Sequence, residues 1–252
     1  MAKWIISHFP EHASYLEPYF GSGAILCSKP RSKLETVNDL DNELVNLFKV
    51  MRSRPKELAD AIQLTPYSRQ EYYESYYLSD CELENARRLI IRLWQGRGGK
   101  TSHRTGWRNQ IECNGPLPAN EWIKFPRKIA AVAERLQGVQ IENQDAIKLI
   151  ERHKRENVLI YADPPYVLST RTTSRYKHEM NNEQHIQLIE ALEAHPGPAI
   201  ISGYANEIYD TRLKHWTRKT KRAKAEAGAI REEVIWINPI AAVKLNHQQT
   251  LF

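Results

Sequence analysis

Val158-Leu159-Ile160-Tyr161-Ala162-Asp163-Pro164-Pro165-Tyr166 is the stretch from which the fold of this chain can be read. Its first five residues are a short apolar run rich in β-branched and aromatic side chains, the composition of a buried strand. Two consecutive prolines then close it. Pro164 and Pro165 lack the N–H groups that a sheet ladder requires, and Pro164 drives Asp163 out of the helical region of backbone space. A strand ending in a stiff corner presents its last groups at the carboxyl edge of a sheet, where open α/β sheets gather their ligands. Here those groups are the Asp163 carboxylate, the Pro164 carbonyl and the Tyr166 ring.

The three groups suit an exocyclic amine on a nucleobase. Such a nitrogen is a poor nucleophile because its lone pair is delocalised into the ring. Two acceptors gripping its two N–H bonds draw it toward tetrahedral geometry and aim the lone pair. Asp163 and the Pro164 carbonyl are the candidate acceptors, and Tyr166 is the candidate stacking surface. Asp-Pro alone is a common turn starter, so the reading rests on all four residues following the apolar strand.

A second motif lies near the start. Ser14-Tyr15-Leu16-Glu17 reads as a strand, Gly21 and Gly23 allow a tight turn with close backbone approach to a ligand, and a helix is expected from Ala24 to Ser28. A helix N-terminus of this kind turns its backbone N–H groups toward the ligand. A dinucleotide fingerprint would require a third glycine where Leu26 stands, which weakens a nicotinamide oxidoreductase reading. Leu34 to Asn38 reads as the next strand, and Asp39 lies about twenty positions after the loop, where nucleotide-binding α/β units grip a ribose hydroxyl. Asp41 reads as the N-cap of a helix from Asn42 to Arg52.

Asp163-Pro164-Pro165-Tyr166, taken with Glu17-Pro18-Tyr19-Phe20-Gly21-Ser22-Gly23-Ala24, makes the chain resemble the Dam-like (D12) class of S-adenosylmethionine-dependent DNA adenine-N6 methyltransferases. The resemblance extends from about Trp4 to Asn238 and includes the order of parts: cofactor loop, long insert, catalytic corner. It implies an α/β fold, a Rossmann-like methyltransferase sheet carrying a small helical target-recognition insert. It also implies that Glu17, Pro18, Phe20, Gly21, Ser22, Gly23, Asp39, Asp145 and Ala146 hold S-adenosylmethionine, with Asp145 accepting from the cofactor's adenine amine. Asp163, Pro164, Pro165 and Tyr166 become the catalytic set, and double-stranded DNA becomes the partner. The family usually begins with a glycine- and lysine-rich segment; this chain starts at Met1-Ala2-Lys3-Trp4, so a weakened cofactor affinity is expected.

Between the motifs the pattern is helical. Pro55 opens one helix, Ser68 and Glu71 suggest a capping box for another, and Glu82 to Gln95 carries apolar residues at helical spacing. The loop beyond holds Arg97, Lys100, Arg104 and Arg108 with His103 and Trp107, and no acid until Glu112. Cations mixed with aromatics suit a phosphate backbone and exposed bases. The insert is therefore bounded at residues 55–120, with 1–54 and 121–252 as the catalytic domain. Phe125 to Leu136 reads as a helix, Val139 to Glu142 as a strand, and Asp145 as the cap of a helix from Ala146 to His153. Residues 167–180 form a polar loop with Arg171, Arg175, Tyr176 and Lys177, a candidate lid and DNA contact. Asn181 and Gln184 cap the next helix, residues 198–204 read as a buried strand, and Trp216 to Arg222 and Glu233 to Asn238 as paired strands. The span from Arg212 to Lys224 holds seven basic residues and no acid, a further candidate phosphate contact.

The totals agree with this frame. A chain of 252 residues can bury about three-quarters of its unfolded surface in one α/β domain with an insert. A net charge of +6 favours an anionic partner. Three widely spaced cysteines, with no Cys-x-x-Cys pair, argue against a zinc site or disulfide framework and for a reducing, cytoplasmic setting such as a bacterial nucleoid or phage-infected cell. No apolar run is long enough to span a membrane. The tail Gln248-Gln249-Thr250-Leu251-Phe252 loosely resembles a sliding-clamp-binding peptide, and a frayed terminus is the plainer reading. Two other functions fit the same motifs: a DNA-binding relative without catalysis, and an amine methyltransferase acting on RNA or a protein amide.

Overall fold

The structure, a computed structural model, describes every residue except 114, 172, 173, 175, 225–229 and 250–252; of residues 223, 224, 230 and 249 it describes the backbone alone. In chain order the first elements are α1 (Ala2–Ile6), β1 (Ser14–Glu17), α2 (Ala24–Ser28) and β2 (Leu34–Asn38). Six helices follow: α3 (Asn42–Ser53), α4 (Pro55–Gln63), α5 (Arg69–Glu74), α6 (Glu82–Gln95), α7 (Pro118–Ile123) and α8 (Phe125–Leu136). The chain continues through β3 (Val139–Glu142), α9 (Ala146–Arg152), β4 (Val158–Ala162), α10 (Asn182–Glu193) and β5 (Ala199–Tyr204). It ends with α11 (Glu207–Arg212), β6 (Thr217–Lys224), β7 (Ile230–Ile237) and α12 (Pro239–Gln249).

Two compact units result: residues 1–40, 138–174 and 178–252, and residues 41–137 with 175–177. The first contains one seven-stranded sheet in the order β3-β2-β1-β4-β5-β7-β6. The strands β1 to β5 run parallel, and β7 pairs antiparallel with both β5 and β6. Alternation along the strands sorts side chains to two faces. Val158, Ile160, Ala162, Ala199, Ile201, Val234 and Trp236 join Leu149 and Ile150 of α9 and Leu188, Ile189 and Leu192 of α10 in one buried cluster. Tyr15 and Tyr161 face the other way, where Phe9 packs against both rings at 5.9 and 5.5 Å. Residues 158–162 are buried throughout, as a central strand covered on both faces must be.

The second unit is helical. Leu58 and Ile62 of α4, Ala86, Leu89, Ile90 and Ile91 of α6, and Ile129, Ala133 and Leu136 of α8 are all buried. Its bounds, residues 41–137 with 175–177, are wider than the expected insert of residues 55–120. Helix α3 turns Leu47, Phe48, Val50 and Met51 inward and packs on α6 and α8, and α7 and α8 complete the same bundle. An apolar helix face joins whichever layer covers it, and here its cover is other helices.

Local signals behave largely as their chemistry dictates. Asp41, Asp145 and Asn181 cap α3, α9 and α10, and Asn181 with Gln184 forms a full capping box. Ser68 caps α5 through the Gln70 N–H, whereas Glu71 pairs with Arg87 at 2.9 Å. The tail expected to fray is helical as far as Gln249; the last three residues of the clamp-like sequence lie outside the described residues.

Candidate active site

The parallel strands β1, β2, β3 and β4 all deliver their carboxyl ends to one edge of the sheet, and the two sequence motifs meet there. After β1 the chain turns through Gly21 (φ +49°) and Gly23 (φ +67°) into α2. A methyl group added at Gly23 would come within 2.8 Å of the buried Phe20 ring, so both the left-handed backbone and the close packing demand glycine. The Gly21 N–H donates to the Asp39 carboxylate at 2.9 Å, tying the turn to the end of β2. Glu17 is buried and accepts from the Tyr15 hydroxyl at 2.8 Å. Ser22 is exposed.

Asn38 brackets this edge, a role its sequence position does not advertise. It is almost wholly buried; its amide donates to the Pro18 and Gln144 carbonyls, each at 3.0 Å, and its side-chain oxygen accepts from the Gln144 N–H at 2.9 Å. One side chain thus fixes the loops that follow β1 and β3. Asp145, next to Gln144, is exposed and accepts from the Lys148 N–H at 3.0 Å, with Ala146 half-buried as the first residue of α9. Tyr19, also missed in the sequence, lies near enough for Asp145 to add to the burial that raises its hydroxyl pKa.

The corner after β4 is built on the face that carries Tyr161. In the β4–β5 register Tyr161 lies beside Ile200, and two residues further on Asp163 comes level with Ser202. The Ser202 hydroxyl donates to Asp163 Oδ1 at 2.8 Å and stands 2.8 Å from the Tyr161 hydroxyl. Pro164 is buried, Pro165 is half-buried, and Asp163 itself remains open to solvent. Protein nevertheless surrounds the carboxylate closely enough that burial raises its pKa, partly offset by the hydrogen bond from Ser202. An accessible carboxylate of this kind is a strong acceptor toward whatever donor enters. Tyr166 donates to Glu233 at 3.0 Å, and its ring meets Tyr204 edge to face at 4.6 Å. Burial pushes the Tyr166 hydroxyl well up and raises Glu233.

The expected DNA contacts separate into several groups. Arg97, Arg104 and Arg108 are exposed on the loop after α6, Lys100 half-exposed. That loop is held by a β-bridge between Gly96 and Trp107. Trp107 is half-buried against Tyr67 at 5.3 Å, with Arg69 over its ring at 4.9 Å, and Arg104 lies over Tyr73 at 5.3 Å. Arg171, in contrast, is turned inward, with a side chain only 5% exposed; it pairs with Glu179 and donates to the Tyr166 carbonyl, both at 2.5 Å. The side chain expected among the DNA-facing cations is thus turned inward and ties Glu179 to the turn after β4. Lys177 pairs with Glu43 at 3.5 Å, Tyr176 is exposed, and Arg175 lies outside the described residues.

The residues that could hold a nucleoside here are Asp39 and Asp145, whose carboxylates could accept from hydroxyl and amine groups, beside a backbone turned by Gly21 and Gly23. A sheet of this order, with a glycine turn after β1 and Asp-Pro-Pro-Tyr after β4, defines a Rossmann-like methyltransferase. Within that class, the chain belongs to the D12 class N6 adenine-specific DNA methyltransferase family, whose model matches residues 1–227. It is similar to the type II methyltransferase M1.LlaDCHI of Lactococcus lactis subsp. cremoris, 27% identical over 195 residues. The shared stretch covers 71% of this chain and 66% of the relative, just under two thirds of its length. Among the described residues no helix is long and apolar enough to cross a membrane, and no three His, Cys, Asp or Glu cluster as metal ligands.

Proposed function

We propose that the protein transfers a methyl group from S-adenosylmethionine to N6 of an adenine swung out of double-stranded DNA. The observation that carries this reading is Asp163: an accessible carboxylate fixed by Ser202 at the carboxyl edge of β4, in the same sheet as the glycine turn after β1. When bound, S-adenosylmethionine would supply an electrophilic methyl carbon, its sulfur keeping the electrons of the broken C–S bond, and the N6 proton lost on methylation would leave to solvent.

The chain's own residues supply alignment. Asp163 and the Pro164 carbonyl accept the two N6 hydrogens and direct the lone pair, and in-line alignment of this kind can be worth about 7–11 kcal/mol. Asp39 and Asp145 orient the nucleoside of the donor, and Gly21 and Gly23 let the backbone approach it. Extracting the base costs a few kcal/mol. Stacking on Tyr166 returns roughly 1–3 kcal/mol, and phosphate contacts from Arg97, Lys100, Arg104 and Arg108 supply the remainder. In this reading Tyr176 and Lys177 are further contacts at the DNA surface.

The test is a labelled-methyl assay with adenine-containing duplex DNA, RNA of the same sequence and a protein amide in competition. Incorporation confined to adenine N6 of the duplex supports the reading. Preference for RNA or protein replaces the substrate, and no incorporation into any of them removes the activity.

A further inference from the structure

We infer that Ser202 is a positioning residue for methyl transfer, the near end of a hydrogen-bond chain from Tyr161 that holds one oxygen of Asp163 and leaves the other to receive the target amine. The inference rests on the proposed role of Asp163.

Its basis is a count of protons. Ser202 is 3% exposed on β5 and has one hydroxyl proton to place among three neighbours: Asp163 Oδ1 at 2.8 Å, the Tyr161 hydroxyl at 2.8 Å and the Ala162 carbonyl at 3.3 Å. A hydrogen bond to an ionised carboxylate is about twice as strong as one between neutral groups, so the proton goes to Asp163. Ser202 then has only lone pairs to offer Tyr161. Tyr161 is wholly buried, and burial together with the charge of Asp163 raises its pKa well above the ordinary value, so its hydroxyl keeps the proton it must donate. Both protons therefore point along one line toward Oδ1, and each bond polarises the next.

This direction matters because a protonated Asp163 cannot serve. Its proton would reside on Oδ2, since Oδ1 already receives one from Ser202, and Oδ2 is the oxygen that must accept from the amine. The surroundings push toward that dead state. Burial is the largest cause, and the groups coupled to Asp163 by charge (Glu233 on β7, Tyr166 in the loop after β4 and Tyr209 on α11) are acids or hydroxyls rather than cations. The Arg231 guanidinium, over the Tyr204 ring at 5.2 Å, acts on Glu233 and favours its charged form. Ser202 is the donor that works against burial, since the Tyr166 hydroxyl already gives its proton to Glu233. Strand register makes the contact unavoidable once Tyr161 pairs with Ile200, which is why no motif reveals it.

The test compares Ser202→Ala, Ser202→Thr and Tyr161→Phe in the full chain. Ser202→Ala is expected to lower kcat about ten- to hundredfold, with the KM for DNA and the Kd for S-adenosylmethionine within about twofold of the parent. Its acid limb of kcat should move up by about one pH unit. Ser202→Thr retains a hydroxyl and should recover most of the rate, and Tyr161→Phe should move both readouts the same way by a smaller, several-fold amount. Titration of Asp163 by carboxyl 13C NMR reads the same shift without turnover, so absence of activity in the parent would count against the proposed function and leave this inference measurable. Equal Asp163 titration curves in the parent and Ser202→Ala would overturn it. So would a kcat loss that Ser202→Thr fails to relieve.

Discussion

Asn38 permits a prediction in which the smaller chemical change does the greater damage. The side chain is 1% exposed and makes three hydrogen bonds, donating to two carbonyls and accepting from one N–H. Asn38→Ala removes all three and leaves two carbonyls and an amide proton short of partners. At about 0.5–1.5 kcal/mol for each bond, with some re-solvation through the cavity, the loss is about 2–4 kcal/mol. Asn38→Asp is nearly isosteric and keeps the bond from Gln144 N–H. It replaces the NH2 group, however, with an oxygen aimed at the Pro18 and Gln144 carbonyls, and buries a charge against them. That penalty is several kcal/mol, enough to place Asn38→Asp below Asn38→Ala at neutral pH. The folded protein should therefore hold the new carboxyl in its protonated form, raising its pKa above the unfolded value. Stability of Asn38→Asp is then greatest below the unfolded pKa and falls as pH rises through the folded one. Urea denaturation of the three proteins from pH 4 to 8 measures this directly. If Asn38→Asp matches the parent at pH 7, or exceeds Asn38→Ala there, the bracket described for the loops after β1 and β3 is wrong.

Asp163 should show a trade of stability for function: burial raises its folded pKa, so its contribution is favourable below the unfolded pKa and lost as pH rises through the folded value. Asp163→Asn should accordingly raise the melting temperature at pH 7 while lowering methyl transfer, and a melting temperature lower than the parent's would contradict the argument. Arg171→Ala breaks a buried pair with Glu179 and should destabilise the protein by about 3–5 kcal/mol without changing the salt dependence of DNA binding, as followed by denaturation and by titration against ionic strength. Arg104→Ala should do the reverse: melting unchanged within about 1 °C, and the slope of log K against log salt reduced by about one. A salt slope unchanged by Arg104→Ala would remove this loop from the DNA surface.

Much of the candidate site at the sheet's carboxyl edge could be read from the chain because it is made of local signals. An apolar run halted by two prolines, glycines at left-handed positions and acids at helix caps each act within a few residues, and all lie where those signals place them. What stayed hidden depends on partners distant in sequence. Asn38 reads as the last residue of a strand, and only the fold brings it to Pro18 and Gln144, 20 and 106 positions away. Ser202 acquires its importance from the register of β5 against β4. Arg171 resembled a solvated cation because the loop is polar; its ion pair with Glu179 and its bond to the Tyr166 carbonyl reverse that reading. The unit boundary moved for a related reason. The apolar stripe of α3 announces burial but not against what, and α6 and α8 are the helices that cover it.

Methyl transfer by the purified chain and its Asp163→Ala variant, measured beside calorimetric binding of S-adenosylmethionine, tests the role of Asp163 most directly. The expected result is incorporation at adenine N6 by the parent, loss of nearly all of it in the variant, and donor affinity equal in the two. Undiminished incorporation by Asp163→Ala would contradict the account.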